Sequence, residues 1–182
     1  MENELHPLEA ALNKIINAKR VYRDQARDFV LHHPEHVPTL MNHLCDPDSE
    51  LHVRAAWVTE LVFLKDSHLI EPYLETLVET LPKLSNESVL RPVSKILANH
   101  LNNTTIRVFD KTTEESLIEA CFDWLIQDHK VATKVFAMDV LLHYSGSYEW
   151  IKEALISVLE KDTESASSGY RAHSRKILKK LS

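Results

Sequence analysis

Residues 38–61 read PTLMNHLCDPDSELHVRAAWVTEL. Asp46, Asp48 and Glu50 crowd three carboxylates into five residues, and an apolar run follows. A helix–loop–helix calcium site starting at Asp46 would need glycine at its sixth position and glutamate at its twelfth. Leu51 and Trp57 stand there instead. The stretch reads better as a corner. Pro47 stops a helix, and Asp48 is a residue type whose side chain accepts the unpaired N–H groups of a first turn. On either side, Leu40 and Leu44, then Val53, Ala56, Trp57, Leu61 and Leu64, recur at three- and four-residue steps, the period of an amphipathic helix. Two helices joined by a tight turn are expected.

The same grammar repeats along the chain. Aligned on Arg23, Arg54, Arg91, Lys134 and Arg171, the sequence carries a capping type six residues earlier: Asn17, Asp48, Ser85, Asp128 and Ser165. Three residues later stand Ala26, Trp57, Ser94, Ala137 and Ser174, small in four cases. Seven later stand Val30, Leu61, Ala98, Leu141 and Leu178, all apolar and on the same helix face as the position at three. A second amphipathic segment precedes each cap: Leu8 to Ile16, Val37 to Leu44, Ile70 to Leu81, Leu117 to Ile126 and Trp150 to Leu159. The basic markers lie 31, 37, 43 and 37 residues apart, so loops absorb the differences. Five helix pairs follow, in one all-α domain over residues 1–182, with a longer loop at about 102–113. In that loop Ile106, Val108 and Phe109 are apolar, and they are expected either to fold back onto the helices or to form part of a partner surface. Most prolines sit at expected helix ends, whereas Pro92 belongs either to a first turn or to a kink.

Composition narrows the class. Two glycines in 182 residues argue against turn-rich sheets and exclude a glycine-rich phosphate cradle. Cys45 and Cys121 form no disulfide framework or CxxC pair, which suits a reducing compartment. No export signal opens the sequence and no apolar run approaches a membrane span, so a cytoplasmic location is expected. Residues 170–182 carry five cations and no acid, so a net charge of −6 means that the rest of the chain carries −11. An acidic body argues against a nucleic acid partner, because duplex affinity comes largely from neutralising phosphates.

Pro38, Leu40, Leu44, Asp46, Pro47, Asp48, Val53, Arg54, Ala55, Ala56 and Leu61 together resemble a HEAT repeat. Trp57 departs from that pattern at a position usually small, and Lys134 replaces arginine. The resemblance implies a right-handed α-solenoid of about five HEAT-like pairs, each burying its apolar face against its neighbours. It further implies a concave groove for a macromolecular, protein partner. Arg54, Trp57, Arg91, Lys134 and Arg171 are the candidate partner-binding residues, although packing between repeats is the more ordinary role for Arg54. The pieces RAAWVTELV and VLRPVSKI are also similar to short helical chains labelled adenylosuccinate lyase. That family's Ser-Ser-x-Met-Pro-x-Lys loop is missing here, which leaves the label without a catalytic serine.

Catalytic, cofactor and metal sites are not expected. In HHPEH, Pro34 separates His32 from His36, and with His43 these are read as turn histidines rather than ligands. Cys121 is read as an apolar filler. Ser145-Gly146-Ser147 is a turn, not a nucleophile elbow. Glu60 and Asp139 are read as solvated helix-face acids. One enzymatic alternative is a HEAT-like glycosylase that removes alkylated bases. It would place Trp57, Trp124, Trp150 and Asp139 in a groove lined by Arg23, Arg54, Arg91, Lys134 and Arg171. Against it, the tryptophans fall on expected apolar faces, where core packing accounts for them.

Overall fold

The computed structural model describes residues 6–103, 109–161 and 167–182. Among these residues the regular structure is helical, with ten α-helices in five successive pairs. The first pair is α1 (Pro7–Asn13) and α2 (Arg20–His32), and the second is α3 (Val37–Cys45) and α4 (His52–Phe63). Then come α5 (Leu74–Thr80) with α6 (Glu87–Asn102), α7 (Lys111–Ile126) with α8 (Val131–Ser145), and α9 (Glu149–Lys161) with α10 (Ser168–Leu181). Backbone contacts group the chain into two compact units, Met1–Ile96 and Leu97–Ser182, and the division falls within α6.

In the first unit α2 packs on α4, and α3 packs on both α4 and α5. The repeat positions explain why. Ala26 and Ser94 are buried small residues that let helices approach, and Val30 and Leu61 fill the space beside them. Leu12, Leu40, Leu44 and Leu77 complete that core. In the second unit α8 is central and touches α7, α9 and α10. Ala137 and Ser174 are its buried small positions and Leu141 its buried anchor. Leu178 is only half-buried.

The corners differ in detail from the sequence reading. Asn17 accepts the amide of Lys19 at 2.9 Å, which closes the turn before α2 and does not cap the helix as expected, since Lys19 is its N-cap. In the next two copies the acceptors stand one residue later than expected. Ser49 Oγ takes the Leu51 amide at 3.2 Å, and Asn86 Oδ1 takes the Ser88 amide at 2.9 Å. These are turns closed by a side chain on the backbone two residues ahead, a geometry open to Asn, Asp and Ser alike. Ser165 lies outside the described residues, and Ser167 caps α10 through the Tyr170 amide. Asp46 Oδ1 accepts the Asp48 amide at 3.0 Å, so the acidic corner is built by its own backbone. The helix expected over Ile70 to Leu81 begins later. Residues Glu71–Tyr73 form a 3-10 turn before α5, because Pro72 has no N–H for an i→i−4 bond. Phe109 packs against His100 at 5.0 Å between ring centroids, whereas Ile106 and Val108 lie outside the described residues.

Candidate protein-binding surfaces

In the first unit the marker residues of α2, α4 and α6 converge. The Arg23 guanidinium lies 5.7 Å from the centre of the Trp57 ring, within cation–π range. The Trp57 indole N–H donates to the Ser88 carbonyl of α6 at 3.1 Å. That carbonyl is the one Pro92 leaves without its helical donor, four residues on. Pro92 lies inside α6, beyond the first turn. The unusual tryptophan and the unusual proline therefore answer each other across two helices. Arg54 Nη1 donates to Asn13 Oδ1 at the end of α1 at 2.8 Å, a contact between successive pairs.

Glu60 is not the solvated acid the sequence suggested. It is 4 % exposed and accepts from Lys95 Nζ at 2.7 Å, with Arg91 Nη1 at 4.0 Å from its second oxygen. The reason is position: α4 is buried over most of its circumference, so its polar side has little water to face. The Arg91 side chain stays 49 % exposed.

In the second unit Lys134 Nζ donates to the Leu125 carbonyl at 2.9 Å, placing a cation at the negative end of α7. Arg171 is exposed on α10. Asp139 is paired with His173 Nε2 at 2.9 Å, and Trp124 is buried in the core, which are packing roles. Cys121 is fully buried, and burial pushes its thiol well above the ordinary range. His32 is turned to the Asp28 carbonyl, His36 stacks on Phe29, and His43 pairs with Ser49 Oγ and lies 3.3 Å from Glu9. Each of these three side chains has a different neighbour.

A HEAT repeat domain model matches residues 8–181. The chain belongs to the HEAT repeat family. Neither a curated protein nor a solved structure matches it significantly. The helix pairs of this HEAT repeat chain are thus those of a helical repeat protein, and such repeats commonly act in protein interaction. Among the described residues no helix is long and apolar enough to cross a membrane.

One surface escaped the sequence reading. Trp150, expected to pack inward, is 54 % exposed at the start of α9 and stacks on Phe122 at 5.9 Å between ring centres. With Ile118, Tyr148 and the carboxylates of Glu115, Glu119 and Asp123 it lines a groove of about 460 Å³. The signal lay in the spacing of residues 115, 118, 119, 122 and 123, a second helix stripe on α7 that borders its core face at the buried Ile118.

Proposed function

We propose that this chain is a non-enzymatic, cytoplasmic HEAT repeat protein, one functional array over residues 1–182. It binds another protein through the concave face that such arrays present. The contact residues are Arg54, Trp57, Arg91, Lys134 and Arg171, all on second helices of their pairs. The observation that carries this reading is the half-open indole of Trp57 under the Arg23 guanidinium, with the half-exposed Arg91 in the same unit. Tryptophan and arginine are enriched among the side chains that dominate binding energy at protein interfaces. Because Arg54, Trp57 and Lys134 also hold helices together, Arg91 and Arg171 are the positions to alter first.

The full chain, used as bait in native lysate, is expected to retain a protein partner that mass spectrometry identifies. Calorimetry should then show Arg91→Glu weakening the purified pair by about tenfold or more, with the helical circular dichroism preserved. A partner that binds Arg91→Glu and Arg171→Glu as tightly as the parent would remove this surface. Salt-sensitive duplex binding with base release would replace the reading by the repair enzyme.

A further inference from the structure

We infer that the groove between α7 and the start of α9 receives arginine side chains from an extended basic segment of a partner protein. The inference concerns the second unit alone and stands apart from the surface proposed above. The walls supply two kinds of attraction. Phe122 and Trp150 are stacked on each other with 27° between their planes, forming a shelf rather than a cage. A shelf offers one open face, which suits a planar guanidinium better than a quaternary ammonium that must be surrounded. Beside it run Glu115, Glu119 and Asp123 on one ridge of α7. Lys111 lies 3.8 Å from Glu115, whereas Glu119 and Asp123 have no ion pair among the described residues. Their carboxylates are therefore open to an incoming cation.

The wall opposite is fixed. The Tyr148 hydroxyl donates to Glu114 Oε2 at 3.2 Å, and its phenol is held above its ordinary pKa by burial and by that carboxylate, so it remains a neutral donor. A volume of about 460 Å³ accommodates side chains, not a whole domain. The spacing also selects a backbone. Residues four apart on a helix are separated by about 6 Å along its axis. Alternate residues of an extended chain lie about 6.6 Å apart on one side. Arginines at every second position thus stay in step with Glu119 and Asp123, with a third guanidinium over Trp150.

Fluorescence anisotropy with a labelled decapeptide of alternating arginine and serine tests this on the full chain. Saturable binding is expected, weakened about tenfold or more when citrulline replaces arginine, and weakened severalfold with lysine. Trp150→Ala, and separately Glu119→Gln with Asp123→Asn, should each weaken it about tenfold. Glu153→Gln, exposed on α9 and outside the groove, should leave it unchanged. Undiminished binding by Trp150→Ala would mean diffuse attraction to an acidic body and would overturn the proposal. So would equal affinity for the lysine peptide. Self-association of the chain through the basic α10, abolished by the groove variants, would give the groove to a second copy and likewise overturn it. None of these outcomes touches the Arg91 experiment.

Discussion

Glu60 shows how much a single residue's meaning depends on its neighbours. On paper it is one acid on a helix, yet it sits buried with Lys95 Nζ at 2.7 Å. Removing one partner of such a pair leaves the other poorly solvated, which matters more than the pair's own attraction. Lys95 retains partial exposure, so the penalty is less than for a fully buried pair. Glu60→Gln should lower stability by about 1–3 kcal/mol in urea titration. Replacing both residues, Glu60→Leu with Lys95→Met, should restore much of the loss. A double variant no better than Glu60→Gln would mean that packing of Glu60, not its charge, matters.

At the scale of elements, α4 and α6 are joined by an exchange of hydrogen-bonding partners. Pro92 deprives the Ser88 carbonyl of its helical donor, and Trp57 supplies an indole N–H from the neighbouring helix. Trp57→Phe keeps an aromatic ring but removes that donor, and should cost about 1 kcal/mol. In the Pro92→Ala background residue 92 has its own N–H, so the same substitution should cost less. A double-mutant cycle by chemical denaturation should report a coupling of about 0.5–1 kcal/mol. Additive effects would show that the carbonyl finds water instead.

At the scale of the molecule, neighbouring pairs share apolar surface, as α2 does with α4 and α3 with α5. Stability in such stacks is a sum of nearest-neighbour terms. Leu44 is fully buried in the first unit, and Leu44→Ala should cost about 2–5 kcal/mol. Hydrogen exchange should then show amides of α2 losing protection together with those of α3 and α4. Loss confined to α3 and α4 would argue that each pair is stable alone.

The periodic positions made the architecture legible: five markers with fixed offsets specify five second helices, and the buried Ala26, Ser94, Ala137 and Ser174 follow from them. Local rules suffice there, because helix period, proline and turn chemistry act within a few residues. The candidate sites were less legible. Nothing in the chain order links Trp57 to Ser88, Glu60 to Lys95, or Phe122 to Trp150. Each of those pairs joins residues about 30 positions apart, brought together only when helices stack. The sequence determined which faces of the helices are apolar and hence that they must pack. Tertiary structure alone decided which polar and aromatic groups meet at the seams and which, like Trp150, stay open to solvent, since burial is a property of the neighbours and not of the residue.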